Sequence, residues 1–552
     1  DGTAKIDATG LTSGTKYYYR FKTDAGDISA VAMFKTTPDP TAKVAVKFGF
    51  SGDYDGLMRP YSSTADFAKL NLDFYGNLGD TIYETASGVV GTANYSAAAA
   101  DPTVNAAQAL IDYHRKYLEN LQPTTPGGFA SLQTLFASQG NITALDNHEL
   151  GNKQLINGGA PASLAALAGN GTNDKTLDVN TTGTFINQTA AFKTLEQAYT
   201  DYQPIKEKTV VAPGDARSNG TQQLYNATQW GQNTIYINTD TRSYRDVRLK
   251  TDAGADDSGV RADNPARTLL GKTQLAWLKQ NLLDAQKNGT TWKFVAISDP
   301  IDQTGTDGGK SWYGGYRAER NDLLKYIADN GIKNVVFLAC DDHQNRINEI
   351  TYLDNFNDPT SVRVLPNALS IVDGPIGATQ VAGATAVIDD HSFANIKSLT
   401  DTLVASEVKA AINPIGLDPN FPGLKNVVRE GDPNANKLRQ AVDFYSPDTF
   451  NYTTFDISAD GKTLNVNVQG VNSTGINTFP EPTASNPVRS ILSFSLDAAP
   501  VPTVSGGTSG NDTIVPTSLQ TIFTGGGDDL VDGTVGKGDN RIYGGDGNDE
   551  LL

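Results

Sequence analysis

The sequence is poor in cysteine, methionine, histidine and positive charge, and each shortage excludes something. A single cysteine, Cys340, in 552 residues rules out an intrachain disulfide, and two methionines leave little thioether for oxidation to attack. Such a composition suits work outside the cell without disulfide staples, and it suits a cytosolic enzyme equally. Only 44 Lys and Arg stand against 62 Asp and Glu, a net charge of -18, so the clustered cations that grip nucleic-acid phosphates are missing. No apolar run reaches the length of about 18 residues that a membrane span requires. The chain opens on Asp1 with no leader sequence in view, which predicts that its amino terminus is a cut or continues upstream.

Three short segments carry most of the chemistry: Leu78-Gly-Asp-Thr-Ile-Tyr83-Glu, Asp146-Asn-His-Glu149 and Asp341-Asp-His343. Each follows a run of apolar, β-prone residues, which predicts carboxylates, an amide and imidazoles at the carboxyl ends of buried strands, where α/β proteins collect their sites. Hard oxygen and imidazole donors gathered in this way hold two or more metal ions, and paired metals clamp both the attacking and the leaving oxygen of phosphoryl transfer. An acidic surface would repel an anionic substrate unless bound cations invert the local field. The segments therefore point to a phosphoester hydrolase.

Roles follow from side-chain chemistry. Asp80 offers two carboxylate oxygens that can bridge two cations, although Gly-Asp after a strand is also an ordinary turn. Tyr83 as a phenolate would suit a hard, highly charged ion, although most tyrosines simply pack. Asn147 can give a carbonyl oxygen to a metal, and His148 can donate a proton to a leaving oxygen. Asp341 and His343, two apart on an extended segment, are expected to point the same way and to ligate together. Arg242 is a candidate phosphate clamp, against the alternative of a surface salt bridge. Of the four histidines, His114 and His391 fall outside these segments and are expected at the surface.

The organisation is read in three parts, residues 1–37, 38–498 and 499–552. In the first, Thr15–Phe21 and Ser29–Phe34 alternate as paired strands and resemble the last strands of a fibronectin type III-like sandwich. In the second, apolar β runs at Val44–Phe50, Lys293–Ile297 and Val335–Leu338 alternate with helical periods at Val104–Leu121, Ala190–Ala198, Thr273–Lys287 and Tyr316–Ala328. A Gly-, Asn-, Thr- and Ala-rich stretch over 151–187 predicts an inserted surface loop. Tyr452–Ile457, Thr463–Val468 and Ser490–Leu496 predict antiparallel strands around a turn at Asp460-Gly461. The fold class expected is α/β (α+β): a metallophosphatase-like two-sheet sandwich flanked by helices, with a partial β-sandwich before it.

The third part is Gly- and Asp-rich. Gly544-Gly-Asp-Gly-Asn-Asp-Glu-Leu-Leu552 fits the nonapeptide G-G-x-G-x-D-x-U-x, and Val535–Tyr543 keeps its spacing. Further copies surround Gly525-Gly-Gly-Asp-Asp529 and Gly510-Asn-Asp512. The period resembles RTX-type repeats, which implies a calcium-binding parallel β-roll with Asp529, Asp546 and Asp549 as ligands. A roll that folds only when calcium screens its carboxylates is expected outside the cell, at the surface or free, after a bacterial type I secretion route.

The second part resembles the PhoD-like alkaline phosphatases and phosphodiesterases. The resemblance lies in Gly79-Asp-Thr-Ile-Tyr-Glu84, Asp146-Asn-His-Glu149, Asp240-Thr-Arg-Ser-Tyr-Arg245, Gln274-Leu-Ala-Trp-Leu278, Gly315-Tyr-Arg-Ala-Glu-Arg320 and Asp341-Asp-His343, in the family's order. It implies Asp80, Asn147, Asp341 and His343 as metal ligands and Tyr83 as an iron ligand, with calcium as a further cofactor. One departure stands out, in Phe48-Gly-Phe-Ser-Gly-Asp53. Gly52 occupies the position of the family's cysteine ligand, so no thiolate is offered to a ferric ion there, and Asp53 offers a carboxylate in its place. Cys340 is read as buried packing.

The reading that results is a secreted, metal-dependent alkaline phosphatase that scavenges phosphate from small organic phosphate monoesters through metal-activated water. A phosphodiesterase of the phospholipase D kind uses the same chemistry. A calcium-dependent extracellular surface or filament protein with an inactive phosphatase-like domain is the reading from another class, and it would add a surface assembly as partner.

Overall fold

The computed structural model describes residues 3–85, 98–123, 131–151, 185–246, 249, 259–303, 311–379, 390–410, 413–433, 439–473, 485–501, 503–508, 510–516, 520–534, 541–544 and 547–552. Almost all of the expected insertion at 151–187, and Asp546, lie outside the described residues.

The first two strands, β1 (Lys16–Tyr19) and β2 (Ala32–Lys35), pair antiparallel as a two-stranded sheet, with Lys16 opposite Lys35. The chain then enters the main body through β3 (Val46–Ser51) and β4 (Phe74–Asn77), the helices α1 (Ala106–Leu121) and α2 (Ser131–Ala137), and β5 (Gly140–Thr143). Helix α3 (Ala190–Tyr202) leads to the hairpin β6 (Asn226–Trp230) and β7 (Thr234–Asn238). Then come α4 (Gly271–Lys287), β8 (Trp292–Ala296), α5 (Arg317–Asp329) and β9 (Val335–Ala339). The long hairpin β10 (Asn345–Leu353) and β11 (Val362–Val372) precedes α6 (Phe393–Lys409). The body closes with β12 (Leu424–Arg429), β13 (Tyr445–Ser446), β14 (Thr449–Ile457), β15 (Thr463–Asn472) and β16 (Arg489–Asp497).

These strands form two mixed seven-stranded sheets. One runs β12-β16-β15-β14-β3-β4-β5, the other β13-β10-β11-β9-β8-β7-β6. Their inner faces meet through aromatic side chains: Phe48 of the first sheet packs edge-on against Phe294 of the second at 4.7 Å and against Tyr236 at 5.9 Å. Gly76, opposite, has no side chain because a Cβ there would lie 2.2 Å from the Tyr236 hydroxyl. Helices form where an apolar face recurs about every 3.6 residues and a cap closes the first turn. Asn105 accepts from the Gln108 N–H to open α1, and Thr189 does the same for Phe192 at α3. Tyr113 and Tyr117 of α1 bury against Phe192, Leu195 and Tyr199 of α3, while Leu278, Leu282, Leu323 and Ile327 of α4 and α5 cover the outer face of the second sheet.

Residues beyond the body form two parallel three-stranded sheets. One contains β17 (Thr503–Gly506), β19 (Gln520–Phe523) and β21 (Arg541–Tyr543); the other contains β18 (Thr513–Ile514), β20 (Leu530–Val531) and β22 (Glu550–Leu551). Side-chain oxygens link successive turns: Asp529 Oδ1 accepts from the Asp512 N–H at 2.8 Å, and Asp549 Oδ1 accepts from the Asp529 N–H at 3.1 Å. Gly547 has φ +141, and a Cβ on it would lie 2.0 Å from the Gly527 carbonyl oxygen, so the turns stack only through glycine.

Candidate active site

In the first sheet β3, β4 and β5 are parallel, and in the second β7, β8, β9 and β11 are parallel. The segments past the carboxyl ends of these strands carry Asp53, Asp80, Asp146–Glu149, Asp240–Arg242, Asp299, Asp341–His343 and Asp373 in turn. Ser298 ties the two rims together by donating its hydroxyl to the carbonyls of Leu78 (3.1 Å) and Leu145 (3.3 Å).

At the centre, oxygens of Asp80, Asp146 and Asp341 lie within 4.8 Å of one another. Burial raises the pKa of Asp80, and the nearby charges of Glu149, Asp53 and Asp341 push it further. Asp146 is raised by burial as well, with Arg242 pulling against it. Its Oδ2 is buried with no hydrogen-bond partner among the described residues. Three carboxylates brought so close repel one another, and a divalent or trivalent cation between them removes both the repulsion and the orphaned oxygen. The donor set fits a metal of the hard-oxygen kind.

A second group of donors adjoins it. The Tyr83 hydroxyl lies 2.9 Å from His343 Nε2 and 3.4 Å from Asp53 Oδ1, and His343 Nε2 is 3.3 Å from the same Asp53 oxygen. Burial, then Asp53 and Asp80, drive the Tyr83 phenol well above its ordinary value, so a phenolate here requires cations to offset those carboxylates. Burial opposes charge on His343, but Asp53 outweighs it and the ring is pushed up to about 9. Its Nδ1 faces the Thr379 carbonyl oxygen.

The expectation of an extended segment at 341–343 is corrected. Asp341 has φ +66 and His343 φ +52, both left-handed, so a tight turn after β9 rather than strand alternation aims the two side chains. Asp53 (φ +64) and Asp80 (φ +48) share this conformation. Four non-glycine residues in a sparsely populated region around one centre is the backbone strain that functional sites accumulate.

His148 stacks on Tyr83 with ring centroids 3.9 Å apart. Its Nδ1 is 2.6 Å from Glu84 Oε2, while Nε2 lies 3.9 Å from Asp80 Oδ2. Burial disfavours the imidazolium, yet Glu84 more than compensates and the pKa rises. Glu149 accepts the N–H groups of Asp80 (2.9 Å), Asp146 (2.8 Å) and Thr81 (2.5 Å), so one buried carboxylate fixes both acidic loops. Arg242 is fully buried and is no surface salt bridge. Its guanidinium meets Asp146 at 2.5 Å and Asp299 at 3.2 Å, donates to Asn147 Oδ1 at 3.3 Å, and lies 3.5 Å from Asp341.

The family model for PhoD-like phosphatase matches residues 48–407, about two thirds of the chain and nearly all of these loops. The chain belongs to the PhoD-like phosphatase family. Alkaline phosphatase D of Bacillus subtilis (strain 168) is 29% identical over 352 residues, 61% of this chain and 52% of that protein. The chain thus spans about half the length of the curated relative it matches. A solved structure of PhoD superposes with a TM-score of 0.59 at 20% identity, covering 89% of this chain and 77% of that one, which shows a common fold. Cys340 packs on Gly52, where a Cβ would lie 3.1 Å from its Sγ. Burial raises the Cys340 thiol well above its ordinary value, with Asp53 adding to the effect, so it behaves as an apolar filler.

Sequence reasoning brought Asp53, Asp80, Tyr83, Asn147, His148, Arg242, Asp341 and His343 to attention, and the fold gathers them. It missed Asp146, Glu84, Glu149 and Asp299 as working groups. Three of these lie inside the quoted motifs, and Asp299 ends the apolar run of β8 as Asp341 ends that of β9, a parallel that was there to be used. Asp529 and Asp549 belong to the stacked turns of the last segment. His114 and His391, expected at the surface, are both partly buried, His114 at 2.9 Å from Asp201 and His391 at 2.6 Å from Asp448.

Proposed function

We propose that this chain is a secreted, metal-dependent phosphatase that hydrolyses small organic phosphate monoesters to scavenge phosphate. The observation that carries this reading is the Asp80–Asp146–Asp341 oxygen cluster, with His148 on one side and Arg242 on the other. Asp80, Asp146, Asn147 and Asp341 would hold calcium, and Asp53, Tyr83 and His343 would hold a harder ion such as ferric iron. When bound, such cations act as Lewis acids that lower the pKa of water and neutralise phosphoryl oxygens.

The chain's own groups do the rest. His148 has Nδ1 committed to Glu84, which leaves Nε2, directed toward the acidic cluster, to give a proton to the leaving oxygen. Glu84 holds that ring in one orientation and favours its protonated form. Arg242, sunk among Asp146, Asn147 and Asp341, holds those ligands in register and contributes a positive charge beneath the phosphoryl group. In the last segment, the buried Asp529 carboxylate has one oxygen without a hydrogen-bond partner among the described residues, which supports calcium binding between turns by Asp529 and Asp549. Repeats of that kind support release to the cell surface or beyond.

Asp80→Asn keeps the shape of the side chain and removes its charge. Hydrolysis of a chromogenic phosphate monoester is expected to be lost while the melting temperature is kept; full activity in that variant would take Asp80 out of the site and end this reading.

A further inference from the structure

A cavity of ≈ 420 Å³ opens between the amino terminus of α6 and strands β12 and β16, lined by none of the catalytic candidates. Arg429, at the end of β12, is one of its walls. It is more than nine-tenths buried, yet its one hydrogen bond among the described residues runs from Nη1 to the Ile491 carbonyl at 3.2 Å, and Nε has no partner. A buried guanidinium left so is costly, because its desolvation is not offset by acceptors.

The carboxylates of Asp448, Glu430 and Asp443 lie close enough to offset part of its charge, but none accepts a hydrogen bond from it among the described residues. Glu430 accepts from Arg489 Nε at 2.5 Å, and Asp448 is held by His391 at 2.6 Å and by the Ser446 hydroxyl at 3.2 Å. Arg489 adds a second guanidinium to the same cavity, its Nη2 donating to Asn472 Oδ1 at 2.6 Å. Helix α6 presents its first turn from a third side, with Ser392 as N-cap and the positive end of a 17-residue dipole behind it. A buried guanidinium with donors to spare, a second cation and a helix amino terminus together make the environment that recognises phosphate oxygens.

We infer that this cavity is a second anion site, one that takes a small oxyanion of the phosphate class with Arg429 as its principal ligand. Equilibrium dialysis of labelled inorganic phosphate against the full chain counts the ions bound. Arg429→Gln is expected to bind one phosphate fewer per chain than the unaltered protein, with its rate of ester hydrolysis unchanged. Ser392→Asp keeps a good cap for α6 while placing a carboxylate at the cavity mouth, and it should lose the same phosphate. If Arg429→Gln fails to fold, as a shifted melting curve would reveal, Ser392→Asp decides alone. An unchanged count in a folded variant of either kind overturns the inference. The count is independent of catalysis, so it stands apart from the phosphatase reading.

Discussion

A Cβ built on Gly52 would lie 3.1 Å from Cys340 Sγ and 3.2 Å from the Gly79 carbonyl oxygen. The two residues thus share one volume beside Asp53, and a side chain at position 52 competes with the one at 340. Gly52→Cys is expected to destabilise the protein by ~1–3 kcal/mol through overpacking. Adding Cys340→Ala should recover most of that loss. Denaturant unfolding of the single and double variants checks it, and equal penalties in the two backgrounds would show that the residues do not compete.

Glu84 fixes the orientation and the charge of His148, so Glu84→Gln tests both at once. The amide can still hold the ring, but it no longer favours the imidazolium. His148 has a raised pKa, and in the proposed role of proton donor its activity is lost as pH rises through that value. Without the Glu84 charge the pKa falls. The alkaline limb of kcat is therefore expected to move to lower pH, with kcat at its optimum reduced roughly tenfold or more. A pH profile that superposes on that of the unaltered chain would remove Glu84 from the machinery.

Glu196 gives a stability prediction away from the chemistry. Burial, and then Asp240, push its carboxyl up to about 8, with Lys193 pulling weakly the other way. An acid whose folded pKa is raised contributes stability that is fully present below its unfolded value near 4.5 and is lost as pH rises toward 8. Glu196→Gln removes that loss. The variant should match the unaltered chain at pH 4 and exceed it at pH 8, as read by melting temperature; a gap that does not widen between those values contradicts the assignment.

The stacked turns of the last segment carry their own test. Chelation of calcium is expected to raise hydrogen exchange across 503–552 while the two seven-stranded sheets keep their protection, because Asp529 and Asp549 would then repel with nothing between them. Protection that survives chelation would show that side-chain bonds alone hold the turns.

Helices α1, α3, α4 and α5 were legible in the sequence to within a few residues, since their apolar period is local. The hairpin β10–β11 and helix α6 were not. Pro366 interrupts the run that becomes β11, and the fold accommodates it at a bulge where the pairing shifts between Glu349 and Thr351 and Asn367 turns to φ +54. The candidate site was legible where one motif holds several donors, as at Asp146–Glu149. It was illegible where a role depends on a distant partner: nothing near Glu84 in the chain announces that its carboxylate will meet a ring 64 residues away, or that Arg242 will be buried among carboxylates from three other loops.

Strand β3, which leads into Asp53, pairs on one side with β14, placing Phe50 opposite Thr453, and the Ser51 hydroxyl donates to the Asn451 carbonyl across 400 residues of sequence. Every candidate ligand of the catalytic centre has left the ribosome by residue 343, yet the strand that flanks the first of them is made more than a hundred residues later. A nascent chain halted after β11 would carry the whole set of reactive groups and still lack the partner that steadies the loop bearing Asp53. The proposed activity would therefore be acquired late in synthesis, and truncation before β14 should yield a polypeptide that carries every candidate ligand and is inert.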